Sequence, residues 1–332
     1  MKKIAIILPL CAALGLVLAG CSKSKEAKPE PTGTNTPAGA PTAKDTAAAE
    51  PLDMKVKWTP GKRYQLRTEM SSDQDINIPG QPAQKAQTLL TEEFTVSALK
   101  ANAEGGCDLQ LQLTGAKLET LQDGAMATQF DSAQDTAQDG NNPLAALFRK
   151  LMAAKLVVQT DRAGKAVKLD GIAAVNQALN AAPPQVKSSF AANFSEVELK
   201  GLVDEGEFAP DHAVKLGESW PFQKDMNMPP TGHFKLDSQI TFKGWEQHNG
   251  RRCALLSTSG DLSSVGPGSM AGMSMTLQSA KVTGESWFDP ELGLITEGTG
   301  HNDLNVSLSA PKQTITVRVL QRTTAKVTEL AP

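Results

Sequence analysis

The chain has 332 residues, 40% of them hydrophobic and 5% aromatic, with a formal net charge of −3. That is ample chain for a folded body with its own core. A mildly acidic chain without a basic stripe excludes nucleic acid as a partner.

The N-terminus carries an address. Lys2 and Lys3 precede an apolar run from Ile4 to Leu18, interrupted only by Pro9 and Gly15. This is the positive n-region and short h-region of a secretory signal, too short for a spanning helix. The run ends in Leu18-Ala19-Gly20-Cys21, which resembles the lipobox of bacterial lipoproteins. The resemblance implies a signal peptide over 1–20, cleavage before Cys21 and acyl chains on that cysteine, which anchor the body to a membrane. Ser22 stands where an inner-membrane retention signal would place Asp, so the same resemblance favours the outer membrane, with the body in the periplasm. Loss of Lys2 and Lys3 takes the net charge from −3 to −5. Residues 21–55 read as the acylated cysteine followed by a disordered Pro/Ala/Thr-rich tether, with too little apolar surface to offset the entropy of ordering.

From residue 56 the period becomes two. Tyr64, Leu66 and Met70 alternate with polar neighbours, as do Phe94, Val96 and Ala98, and then Cys107, Leu109, Leu111 and Leu113. Such alternation marks half-buried antiparallel strands. Turn signals follow at Ala103–Gly106 and Asp161–Gly164. Between them Asn142-Pro143 opens a helix running to about Ala154. A second starts at Asp170 and stops at Pro183-Pro184; a third is expected over 185–194 and a fourth over 196–203. Alternation resumes with Phe234, Leu236, Ile240 and Phe242, then Leu304, Val306 and Leu308, then Ile315, Val317 and Val319. Turns are expected at His248–Gly250 and Asp289–Gly293. The expected fold is α+β and mainly β: a curved, half-barrel-like antiparallel sheet with a few short helices inserted in the middle. It divides into an N-terminal strand meander plus helices over 56–205 and a C-terminal meander over 206–330, continuous with the first. The Glu93-Phe-Thr-Val…Cys107 and Gln239-Ile-Thr-Phe…Cys253 blocks share an offset of 146 residues, the mark of a duplicated meander or of two convergent hairpins.

Two copies of Gly-Glu-Ser-Trp, at 217–220 and 284–287, do not fit that offset and read as coincidence. Trp220 is expected to seal a sheet edge where the chain leaves the helices, and Trp287 to pack at a hairpin. Lys62-Arg63-Tyr64, the Asp161–Ala166 hairpin, Phe194-Ser-Glu and Leu216-Gly217-Glu-Ser-Trp220 occur in the order found in a domain of unknown function. By that resemblance the body is similar to an uncharacterised family of secreted and lipid-anchored bacterial proteins. Trp287-Phe-Asp-Pro-Glu-Leu-Gly293-Leu is similar to one hairpin of the periplasmic lipoprotein-carrier proteins, which implies a curved sheet cupping helices and an apolar cavity.

The chemistry-bearing residues are sparse. His212, His233, His248 and His301 are scattered through expected turns or loops, without the spacing of a zinc site. No nucleophile elbow or phosphate-binding loop appears: Gly217-Glu-Ser219-Trp-Pro221 fails at its last position. Glu92-Glu93 and Asp204–Glu207 read as solvated charges. No catalytic residue and no cofactor is therefore assigned, and the chain reads as a non-enzyme. Cys107 and Cys253 sit at inward strand positions in an oxidising compartment, so a disulfide and a pair of buried thiols both remain open. Met226, Met228, His233, Met270, Met273 and Met275 form the one metal-ligand candidate, of the thioether and imidazole type that suits Cu(I). The leading expectation is an outer-membrane-anchored binding or scaffolding module for a hydrophobic small molecule, such as one with an acyl chain, or for an envelope protein. A periplasmic Cu(I)-binding protein is the alternative.

Overall fold

The computed structural model describes residues 50–331 apart from 135–136, 138, 141, 229–231, 267, 271–272 and 312. The expected signal peptide, Cys21 and most of the expected tether lie outside the described residues.

The first half of the chain builds β1 (Arg63–Asn77), β2 (Gln84–Ala101), β3 (Gly105–Gln122), β4 (Ala125–Asp131), β5 (Leu156–Asp161) and β6 (Ala166–Asp170). The second builds β7 (Ser219–Met228), β8 (Gly232–His248), β9 (Arg251–Ser264), β10 (Gly268–Met270), β11 (Met273–Asp289), β12 (Leu294–Ala310) and β13 (Gln313–Glu329). Four short helices lie between the β4 and β7 strands: α1 (Pro143–Ala153), α2 (Ile172–Asn180), α3 (Pro184–Phe190) and α4 (Glu196–Gly201). The expected mainly-β fold with a few inserted helices is thus the observed one.

All strands join one antiparallel sheet in the order β6-β5-β3-β2-β1-β13-β12-β11-β9-β8-β7, with β4 beside β3 and β10 beside β11. The described chain therefore starts and finishes in the middle of the sheet. β1 pairs with β13 from Tyr64↔Glu329 to Asn77↔Thr316. From that seam the first half works outward to the edge strand β6, and the second half works back inward from the other edge, β7. The two edges are consecutive in the chain, and the helices connect them. The sheet does not close into a barrel by pairing β6 with β7.

The reason for the strands is visible in their burial. In β1 every second residue from Tyr64 to Ile76 is buried, and β13 repeats the pattern at Ile315, Val317 and Val319. One face of each strand is dry and the other wet, which fixes the register, because a slip of one residue would invert the faces. The hairpin ends carry the left-handed conformations that a right-handed sheet twist requires: Asn249-Gly250 have φ of 51° and 78°, and Asp123-Gly124 have 50° and 81°.

Helix α1 starts where Asn142 Oδ1 accepts the Leu144 backbone N–H at 3.0 Å, ahead of Pro143. Its buried face carries the bulky side chains of Leu144, Leu147, Phe148 and Leu151. Phe148 stacks on Phe130 at 5.1 Å and meets Phe190 edge-on at 5.3 Å. The third helix stops at Phe190 rather than 194, and the fourth at Gly201 rather than 203.

One expected boundary moves. Leu52, Met54, Val56 and Trp58 are all buried, while Pro51, Asp53, Lys55 and Lys57 are exposed. This strap is tied at Leu52 to Val214 by a backbone bridge, and Lys57 N donates to Gly293 O at 3.0 Å. Trp58 then packs edge-on against Tyr64 at 5.2 Å. The ordered body begins by Leu52, not at residue 56. Four apolar side chains at alternate positions bury enough surface to hold the strap down.

Candidate functional site

The gap between the edge strands is closed by a plug made of α4 and the residues that follow it to Phe208. Ser195 caps α4, its Oγ accepting Glu198 N at 3.3 Å. A tight 3₁₀ turn over Glu205–Glu207 comes next. The plug holds both edges. On the β5–β6 side, Gly206 N donates to Gly164 O at 3.3 Å. A Cβ on Gly206 would lie 2.3 Å from Ala163 O, so only glycine allows the plug this close. On the β7 side, Trp220 Nε1 donates to Phe208 O at 3.0 Å, and Lys224 Nζ pairs with Glu207 Oε2 at 3.2 Å. Trp220 does sit on an edge strand, as expected. Its partner is the plug.

Under the plug lies a cavity of about 110 Å³, lined by β1, β8, β9, β11, β12 and β13 together with Leu202, Glu205 and Phe208. Strands from the seam and from the β7 side facing one hollow show that the sheet is curved. The lining is mainly aliphatic, including Leu66, Ile240, Leu256, Ile295 and Val327. Its polar members are the hydroxyls of Thr68, Thr258 and Ser286 and the carboxyl of Glu205. This volume is below the roughly 150 Å³ of an engineered cavity that holds benzene, and well below the roughly 300 Å³ at which drug-sized sites begin. A larger and more open depression is lined by Gln223, Asp237, Ser259 and Lys281 among others.

Glu205 is half-buried, and its Oε2 accepts Ile295 N at 3.2 Å. Burial raises its carboxyl to about 7, held back slightly by that hydrogen bond. Glu198, on the buried side of α4, is also raised to about 7 by burial, with Lys224 opposing. Asp204 is raised for the same cause. Glu92 on β2 is buried opposite Thr68, raised to about 7, and its Oε1 has no hydrogen-bond partner. These positions correct the expectation of solvated charges. Alternation along β2 places Glu92 on the face of Leu90 and Phe94, while Glu93 points outward to Arg67 and Gln65. The Asp204–Glu207 stretch is folded into the plug.

The remaining candidates are dispersed. Cys107 and Cys253 are both buried free thiols, so the disulfide reading is not realised. β3 and β9 are separated in the sheet by β2, β1, β13, β12 and β11, and each thiol is pushed up by burial. The starts of β8 and β10 lie close together: a Cβ on Gly232 would lie 3.3 Å from Gly268 Cα. Met226 and Met275 are core residues, and Met273 packs against the core. The side chains of Met228 and Met270 lie outside what the structure describes. His233 is exposed on the opposite face of β8 from the Met226 partner Phe234, with Asp225 Oδ1 at 3.5 Å. The imidazole and the core thioethers therefore do not converge. Among the described residues no group of three or more His, Cys, Asp or Glu is placed to hold a metal ion.

His233 and His301 lie within strands rather than loops, and His248 ends β8. There it stacks on Trp287 at 4.2 Å and pairs with Glu297 Oε2 at 3.1 Å. His212 alone is in a loop, between Asp211 and Glu218.

The model named Family of unknown function (DUF6263) matches residues 104–295, which is more than half of the chain, and the chain belongs to that family. No curated protein matches. Among solved structures, the chain is similar to DynF from the dynemicin biosynthesis pathway of Micromonospora chersina. That match has 9% identity over 88% of this chain and 92% of that one, with a TM-score of 0.19, too low to carry an argument.

Proposed function

We propose that the chain is a non-enzymatic binding module, tethered by a lipid on Cys21 to the outer membrane, whose body takes up a small apolar ligand from the periplasm. The observation that carries this reading is the cavity of about 110 Å³ between the curved sheet and the plug, walled mainly by aliphatic side chains. Apolar walls favour an apolar guest, because the guest leaves water without the walls losing any hydrogen bond. The lipid on Cys21 would hold the module at a membrane surface, where such molecules concentrate.

The test is a xenon-129 NMR titration of the mature chain carrying Cys21→Ala. Saturable, one-to-one occupancy is expected, and it is lost when Ala325→Leu fills the cavity. A linear shift with xenon pressure, equal in both proteins, would mean that no internal site is used. The same variant tests the anchor: wild type partitions with outer membranes and Cys21→Ala with the soluble fraction. Retention of Cys21→Ala after a high-salt wash would refute the tether.

A further inference from the structure

Resting on the pocket reading above, we infer that the ligand class is a small apolar amine, its ammonium group paired with Glu205. The cavity wall contains one ionisable group and no cation: β1, β8, β9, β11, β12 and β13 contribute only apolar side chains, glycine and the hydroxyls of Thr68, Thr258 and Ser286. Glu205 spends one oxygen, Oε2, on Ile295 N. The charged groups around Glu205 are Asp204, Glu198 and Glu207 of the plug, with two opposing cations, Lys165 and Lys224, the latter already paired with Glu207. The balance around the hollow is acidic.

That balance discriminates between guests. A carboxylate entering the cavity would meet a carboxyl with no counter-charge and would lose its hydration, which is costly. A neutral alcohol gains an ordinary hydrogen bond. An ammonium gains a charge-assisted bond to Glu205, roughly twice as strong as a neutral one. It has three donors, and the wall hydroxyls are acceptors for those Glu205 does not take. A free metal ion is not served, since the wall offers one carboxyl and no imidazole or thiolate.

The pairing also has a pH signature. Glu205 keeps its proton up to about 7, so an ammonium guest must displace that proton to form the pair. Amine affinity should weaken by about tenfold for each pH unit below about 7 and level off above it.

The experiment uses three probes of equal size, isopropylamine, isopropanol and acetate, titrated calorimetrically into the mature Cys21→Ala chain at pH 7.5 and 5.5. The expected order at pH 7.5 is amine over alcohol by at least tenfold, with acetate weakest. At pH 5.5 the amine should lose more than tenfold while the alcohol does not change. Glu205→Gln should bring the amine down to the alcohol's affinity, its unfolding temperature serving as the check on folding. Equal binding of amine and alcohol, or a preference that survives Glu205→Gln, overturns the amine class but leaves the pocket. Xenon uptake without binding of any of the three probes also overturns it. Absence of both xenon and probe binding overturns the pocket reading itself.

Discussion

At the scale of single residues, the buried carboxyls set how stability responds to pH. Glu92 is 6% exposed and is raised to about 7, whereas in the unfolded chain it titrates at an ordinary carboxylate value. Between those two values the folded chain holds a proton that the unfolded chain has lost. Stability therefore falls as pH rises from about 4.5 to 7 and is level above that. Glu92→Gln should stabilise the protein by on the order of 3 kcal/mol at pH 8 and change it little at pH 4.5, as read by urea denaturation at the two pH values. Equal destabilisation at both would show that the carboxyl is held by something other than burial. The thiols give a second residue-scale outcome. In residues 21–332 carrying Cys21→Ala, neither Cys107 nor Cys253 should react with a thiol reagent until the protein unfolds, when both should. Glu92 was legible: the same alternation that marks Leu90, Phe94 and Val96 as inward marks it too. The Asp204–Glu207 stretch was not, because its burial depends on contacts with β7 and the β5–β6 turn that no local pattern encodes.

At the scale of elements, the strap and the plug are the pieces whose roles differ most from a reading of composition. Pro51-Leu-Asp-Met-Lys-Val-Lys-Trp58 has the alternation of a strand, but it follows a Pro/Ala/Thr-rich run whose composition masks it. Leu52→Ala should cost about 2–5 kcal/mol, since the side chain is fully enclosed, whereas Asp53→Ala next to it should stay within about 0.5 kcal/mol. Two neutral outcomes would return the segment to the tether. For the plug, Gly206→Ala forces a methyl against Ala163 O and Lys165 N. The expected cost is about 1–3 kcal/mol, and hydrogen exchange should rise across 196–208 more than in β1 or β13. Uniform exchange throughout would mean that the plug does not open separately from the sheet. The strands with clean alternation were readable because one dry face suffices to define them. The helix ends were less so: α3 stops at Phe190, where turns continue to Phe194 without a helical ladder.

At the scale of the whole molecule, the topology ties both ends of the body to one seam. The division into 56–205 and 206–330 follows the chain, and the sheet crosses it: β1 pairs with β13, and a single hydrophobic cluster runs from Leu52 through Phe148 to Val319. Each half alone would expose the unpaired seam edge of β1 or β13 and the inner face of its own strands. Exposed edges and large apolar faces favour aggregation over folding. The loop at Asp211–Ala213 is exposed and lies between the plug and β7, so a cut there severs no strand. Fragments ending at 211 and beginning at 212 should each fail to show a cooperative unfolding transition. Refolded together, they should recover one, at a temperature below that of the intact chain. The pairing of β1 with β13 joins residues more than 200 positions apart, and closing such a loop late makes refolding of the intact chain slow. Recombined fragments should refold at a rate that depends on concentration, because the seam then forms between two molecules. A fragment that unfolds cooperatively by itself would show that the halves are separate domains and that the seam is a contact between them rather than the centre of one core.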